Sequence, residues 1–140
     1  MNHINTFLMV NITLRTHHII CMQSFIGKGY SKEFTENFSH ILRYLKQNNN
    51  QKCIRLVSCC DDICKYCPNR TNNNQCKNEL FIKHLDNSYK SICNFSYIKQ
   101  YSLDEINTII NNNLTINKFN TICNKCQWFG ICSKLIKNIL

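Results

Sequence analysis

Cys59-Cys60-Asp61-Asp62-Ile63-Cys64-Lys65-Tyr66-Cys67-Pro68 is followed, after a spacer of eight residues from Cys67, by Cys76. Cys123-Asn124-Lys125-Cys126-Gln127-Trp128 is followed, after a spacer of five residues from Cys126, by Cys132. A Cys-x2-Cys turn lets two sulfurs converge on one centre while backbone N–H groups point toward them, and zinc loops and iron–sulfur loops both use it. Two such pairs, each trailed by a third cysteine, point to metal rather than to redox or structural thiols. Pro68 directly after Cys67 leans toward iron–sulfur, since proline holds the chain extended and removes a competing donor. Ile63, Trp128 and Phe129 put apolar bulk beside the sulfurs, either as a shield for a cluster or as ordinary core packing.

Each group supplies three cysteines, so a fourth ligand must come from elsewhere. Cys21 is the candidate. On a helix His17 and Cys21 are four residues apart and His18 and Cys21 three, so all three side chains can face one site. His17 and His18 are therefore candidates for ligation or for a hydrogen bond to a ligand. Asp61 and Asp62 suit three roles: capping the following turn, accepting from a histidine, or chemistry, with capping preferred. Adjacent Cys59 and Cys60 do not easily share one small centre, so one is a spare ligand or a buried residue. Cys53 and Cys93 read as core residues in a strand and at a helix end. Gly27-Lys28-Gly29 leads into a helix start and is a weak candidate for an anion site, the alternative being a tight turn.

The chain has 140 residues, 44% of them hydrophobic, and eleven are cysteine. That is one domain's worth of sequence, too short for a large multidomain enzyme and too apolar for wholesale disorder. No apolar run approaches the roughly 18 residues that span a bilayer. Met1 to Val10 contains no Lys or Arg, and Asn5 and Asn11 interrupt its apolar residues. A secretory leader is not expected, and a cytoplasmic chain with reduced thiols is. The net charge of +9 tempts toward nucleic acid. Metal ligation by seven thiolates would bring it down to about +6. The lysines are also scattered, so a solvated surface is favoured and neither nucleic acid nor membrane is expected as a partner.

The expected fold is α+β: a small, mostly helical single domain with one or two short strands and cysteine-rich metal-binding loops. Residues 1–13 read as an N-terminal extension and 14–140 as the domain. Ile12 and Leu14 alternate as a short strand, and Cys53 to Val57 reads as another. Helices are expected over His17 to Phe25, from a Ser31 cap through Leu45, over Asn78 to Ile92, from a Ser102–Glu105 capping box through Ile110, and from Ile131 to Ile139. The cysteine-dense parts, 59–76 and 123–132, are expected between elements.

Four stretches carry a resemblance: Leu14-Arg15-Thr16-His17-His18-Ile19-Ile20-Cys21, Phe25-Ile26-Gly27-Lys28-Gly29-Tyr30-Ser31, Asp61-Asp62-Ile63-Cys64-x2-Cys67-Pro68, and Ile122-Cys123-x2-Cys126-x-Trp128. Together they resemble domain of unknown function family 1284, small prokaryotic proteins often labelled iron–sulfur binding. The resemblance runs from about Leu14 to Cys132, with Thr16 where the family usually has proline. Cysteines 53, 59, 60 and 93 lie outside its pattern. It implies a ligand set of Cys21, Cys64, Cys67, Cys76, Cys123, Cys126 and Cys132, with His17 or His18 as possible additions. It supplies no reaction. The expected function is therefore iron–sulfur cluster binding, of the four-iron type, for electron transfer or redox sensing with a protein redox partner. The rivals are a zinc-stabilised module that docks protein or nucleic acid and a cluster-dependent enzyme acting on a small molecule. Colour separates the first two, because zinc sites are colourless.

Overall fold

The structure, a computed structural model, describes residues 11–140. Strand β1 (Ile12–Arg15) runs straight into helix α1 (Thr16–Cys21), which tightens into a 3-10 turn over Met22–Ser24. Helix α2 (Lys32–Gln47) leads back to strand β2 (Ile54–Val57), and a second 3-10 turn covers Cys64–Tyr66. Helix α3 (Glu79–Cys93), strand β3 (Gln100–Tyr101) and helices α4 (Leu103–Asn113), α5 (Ile116–Cys123) and α6 (Phe129–Ile136) complete the chain. The fold is α+β, with six α-helices and a three-stranded sheet among the described residues. None of the helices described is long and apolar enough to cross a membrane.

The sheet order is β1-β2-β3. β1 and β2 are parallel, with Leu14 opposite Leu56 and Arg15 opposite Val57, and β3 joins β2 antiparallel through Tyr101 opposite Ile54. Parallel neighbours need a long crossover, which α1 and α2 provide. Residues Ile12 and Thr13 are part of this sheet. Leu14, Ile54 and Leu56 are wholly buried against Ile19 and Ile20 of α1 and Leu45 of α2. In α2, Phe34, Phe38, Ile41 and Leu45 recur every three or four residues and form its buried stripe. Ser31 starts that helix by accepting from the Phe34 N–H at 3.1 Å. The Ser102–Glu105 capping box does the same for α4.

Several boundaries depart from the sequence expectation. The helix expected to run to Phe25 leaves α-geometry at Cys21. Cys53 precedes β2 rather than lying in it, and its carbonyl accepts the Ile12 N–H at 2.7 Å. Helix α5 and strand β3 were not anticipated. The second cysteine group is not a free loop as expected: Cys123 ends α5 and Cys132 lies in α6, so the Cys-x2-Cys turn is the joint between two short helices. Thr16 is the first residue of α1, a helix position where proline is well tolerated.

One polar knot fastens helix to sheet. Arg15, at the end of β1, is wholly buried. Its Nε donates to Asp86 Oδ2 at 2.8 Å, and its Nη1 and Nη2 donate to the two Glu79 oxygens at 3.2 and 2.9 Å. Asp86 Oδ1 accepts the backbone N–H of His17 at 3.0 Å. Burial alone would raise the Asp86 carboxyl. The hydrogen bonds and charge of His17, followed by the charge of Arg15, instead hold it below its ordinary 3.8.

Removing one partner of a buried pair strands the other charge, which costs about 3–5 kcal/mol. Asp86→Ala should therefore destabilise the fold by about that much in denaturant titration. Because the folded-state pKa of Asp86 is depressed, its contribution is whole above pH 3.8 and is lost as the pH falls below that value. Acid unfolding of Asp86→Ala should be correspondingly shallower than that of the wild type.

Candidate metal centre

Four cysteines from separate parts of the chain line one cavity of about 110 Å³: Cys21 from the end of α1, Cys123 from the end of α5, Cys126 from the joint and Cys132 from α6. Local backbone bonds build the joint. Cys126 N–H donates to the Cys123 carbonyl at 2.9 Å, Phe129 N–H to the Cys126 carbonyl at 3.0 Å, and Cys132 N–H to the Trp128 carbonyl at 2.9 Å. The four thiols feel one another. Burial pushes the Cys21 thiol well up, and negative charge on Cys123, Cys126 and Cys132 pushes it further. Burial likewise drives Cys123 to about 12, against the pull of Tyr89, whose hydroxyl lies 2.7 Å from the Cys123 sulfur. Without a cation the buried thiols stay protonated, and a cation among them would favour their ionised form.

Aromatic rings wall the cavity. Tyr30 meets Trp128 edge-on at 5.5 Å between ring centres and Phe34 at 5.3 Å, and Phe34 meets Phe38 at 5.9 Å. Burial raises the Tyr30 hydroxyl to about 12, while a hydrogen bond from Trp128 works against the rise. Lys28 and Gly29 also line this cavity, so the Gly27-Lys28-Gly29 segment is part of its wall. Gly27 takes a φ of +83°, which favours glycine, and a Cβ on Gly29 would stand 2.4 Å from the Phe34 ring. The loop can reach the cysteines only because position 29 has no side chain.

His17 and His18 line the same cavity, and each has its Nδ1 fixed by a carboxylate. Nδ1 of His17 lies 2.7 Å from Asp86 Oδ1, and Nδ1 of His18 lies 2.6 Å from Asp61 Oδ2. Carboxylates in this position set the tautomer of metal-site histidines and leave Nε2 as the other functional atom. Burial, reinforced by the neighbouring His18, holds His17 below its ordinary pKa despite Asp86.

Asp61 combines two of its expected roles. It accepts the Cys64 N–H at 3.0 Å as a turn cap, and it accepts from His18 and from the Arg15 N–H. Burial would raise it, but the charge and hydrogen bond of His18 and the bond from Arg15 bring it to about 2. Asp62 approaches no histidine and instead accepts the Thr13 N–H at 2.8 Å. Donor atoms of His18, Asp61 and Cys64 all lie within 4.8 Å of one another. Hydrogen bonds converging on one carboxylate account for that closeness.

Cys64, Cys67 and Cys76 lie apart from the cavity quartet. Cys64 begins the second 3-10 turn and Cys67 caps it, with its N–H donating to the Cys64 carbonyl at 3.0 Å. Cys76 pairs with Arg70 in an isolated antiparallel bridge and donates its N–H to Glu79 at 2.9 Å. Cys60 stands with this group, hydrogen-bonded to Cys64 and within reach of the charge of Cys76. Cys59 is exposed, whereas Cys53 and Cys93 are buried core residues.

Sequence reasoning did not find Asp86, Glu79, Tyr89 or Tyr30. A signal existed for Asp86: it shares the buried stripe of α3 with Leu85, Tyr89 and Cys93, where an unpaired carboxylate would be costly.

A family described as "Protein of unknown function (DUF1284)" matches residues 29–132. The chain belongs to this family. The DUF1284 match takes in Cys64, Cys67, Cys76, Cys123, Cys126 and Cys132 and begins after the histidine pair and Cys21. Searches of curated proteins and of solved structures gave no match.

The geometry separates the cysteines by role. Single changes to serine at Cys21, Cys123, Cys126 or Cys132 should lower bound metal several-fold by elemental analysis. Cys53→Ala and Cys93→Ala should keep the metal and cost only packing, about 1 kcal/mol each in denaturant titration.

Proposed function

We propose that the chain binds an iron–sulfur cluster, of the four-iron type, at Cys21, Cys123, Cys126 and Cys132, and serves in electron transfer or redox sensing. The observation that carries this reading is that four cysteines line one aromatic-walled cavity of about 110 Å³. Thiolates select zinc or iron–sulfur clusters among common metals. A single zinc draws its sulfurs to about 2.3 Å from one point and leaves no space among them. Pro68 after Cys67 and the apolar walls beside the cavity cysteines favour the cluster over zinc.

A bound cluster supplies a one-electron couple. The chain's own residues set the terms of that couple. With Cys123 ligating as a thiolate, the Tyr89 hydroxyl 2.7 Å away would donate to its sulfur, which stabilises negative charge and favours the reduced state. Lys28 adds positive charge at the wall. The rings of Tyr30, Phe34 and Trp128 put apolar surface against the site. Half-buried Trp128 lines the cavity and is partly open to solvent, and a protein redox partner would dock against it. Scattered lysines support a solvated surface rather than a nucleic-acid partner, and reduced thiols suit the cytoplasm.

Protein purified without air should be brown, should contain iron and acid-labile sulfide, and should bleach with dithionite. Colourless protein carrying stoichiometric zinc and no iron would sink this reading in favour of a zinc-stabilised module. Tyr89→Phe should keep the cluster and shift its reduction potential downward in voltammetry, because one hydrogen bond to sulfur is lost.

A further inference from the structure

We propose that the histidine end of the cavity binds a small neutral molecule with a flat apolar body and a phenol-like hydroxyl, which bonds to the free Nε2 atoms of His17 and His18. The proposal goes beyond the metal reading and does not depend on what the cysteines hold.

The first argument concerns unused hydrogen-bonding atoms. Each ring commits its Nδ1 to a carboxylate, His17 to Asp86 at 2.7 Å and His18 to Asp61 at 2.6 Å. Neither Nε2 has a partner among the described residues. Gln51 Oε1 is the one sealed polar side-chain atom without a partner among them, so each Nε2 is open to space. The two side chains are only 9% and 12% exposed, and both line the cavity. The open space is therefore the cavity rather than the outer surface. A nearly buried imidazole with an unused nitrogen is a place for a polar ligand atom. The ring centres are 4.3 Å apart, so one head group can meet both.

The second argument concerns the walls. His17 and His18 precede Cys21 on α1 by four and three residues, a rise of about 4.5–6 Å along the helix axis. The cavity thus has a histidine end about one helical turn from Cys21. Phe38 meets the His18 ring edge-on at 6.5 Å between centres and stacks on Phe25 at 4.1 Å. Leu85, next to Asp86 on α3, and Ile82, one turn earlier, line the same cavity. Walls of this kind take up a flat apolar body, which can stack on the rings or stand against their edges.

The third argument concerns charge. Asp61 and Asp86 stand directly behind the two imidazoles, which disfavours an anion on the Nε2 side. Lys28 lines the same cavity, which disfavours a cation. A neutral head group remains. With Nδ1 turned to Asp86 and burial holding the ring neutral, Nε2 of His17 presents a lone pair and calls for a donor. A hydroxyl both donates and accepts through one oxygen, so it can bond to both rings whichever of them carries a hydrogen on Nε2. The two anchoring carboxylates come from the 60–76 loop and from α3, so the nitrogens are held in place before a ligand arrives.

The test is isothermal titration calorimetry of phenol into the full-length protein as purified, with anisole, whose ether oxygen has no hydrogen to give, as the comparison ligand. Iron and sulfide are measured on the same preparation, so the metal reading stands or falls separately. Phenol should bind saturably, and anisole about three- to tenfold more weakly, the worth of one neutral hydrogen bond. His18→Phe keeps a ring but removes Nε2. It should weaken phenol by about that factor and leave anisole unchanged. Ile82→Trp fills the histidine end without altering either imidazole, and it should abolish binding of both molecules. Phenol that gives no saturable heat with the wild type, or binds it no better than anisole, overturns the proposal, and neither result depends on a variant folding. Equal phenol affinity in wild type and His18→Phe, or undiminished binding in Ile82→Trp, overturns it as well.

Discussion

A charged side chain at zero exposure is the constraint around which this fold is arranged. Arg15 cannot lose its proton, so burying it requires carboxylates that reach it with good geometry. Asp86 and Glu79 meet it from α3, seven residues and about two helical turns apart. Satisfying Arg15 thus fixes the position and rotation of α3 against the end of β1. A pair of apolar residues could fill the same space with equal or greater stability, so stability alone does not explain the knot. Its effect is orientation. The same carboxylates that neutralise Arg15 also hold groups of the candidate centres: Asp86 holds His17, and Glu79 holds the Cys76 N–H.

Burial sets the protonation of the cysteines. Burial and mutual repulsion raise Cys21, Cys123 and Cys126, and burial with the nearby Asp61 raises Cys64. Gathering these thiols without a metal gains little beyond ordinary apolar burial. Cys21 is far in sequence from α5 and α6, and those helices are only eight residues each, below the length at which an isolated helix is stable. Metal binding at such a site is folding energy as well as chemistry. The Arg15 knot holds the part of the fold that can be rigid beforehand, and the short C-terminal helices are the part a metal would secure.

How much of this was legible in the sequence follows from how local each feature is. Helices α2 and α4 were readable because Ser31, Ser102, Glu105 and the spacing of Phe34, Phe38, Ile41 and Leu45 act within a few residues. Strand β3 has two residues and exists only because β2 offers an edge, and α5 buries only Phe119, so neither leaves a local pattern. The cysteine spacing made six thiols visible, and the helical offset from His17 and His18 made Cys21 a candidate. Which of Cys59 and Cys60 turns inward was not readable. It depends on Asp61 being gripped by Arg15 N–H and His18, contacts made across more than forty residues of chain. Glu79 was missed for the same reason, since on α3 alone it looks like an ordinary helix acid, whereas Asp86 stood out by its place on the buried stripe and only its partner was hidden.

The two carboxylate–histidine pairs show why the segment from Arg15 to Cys21 is so dense in polar groups. In a strand running directly into a helix, consecutive residues face different directions. Arg15 turns toward α3, His17 and His18 toward the cavity, and Cys21 joins them one turn later. Asp61 approaches from the first cysteine loop and Asp86 from α3, so each histidine is anchored by a different part of the fold. Displacement of either part would be felt at an imidazole facing the cysteine cavity. The arrangement therefore couples three otherwise separate pieces, the 60–76 loop, α3 and the α5–α6 joint, through one short stretch of seven residues. A metal in the cavity would act on the residues that Arg15 holds in register, and the polar knot and the cysteine cavity form a single mechanical unit.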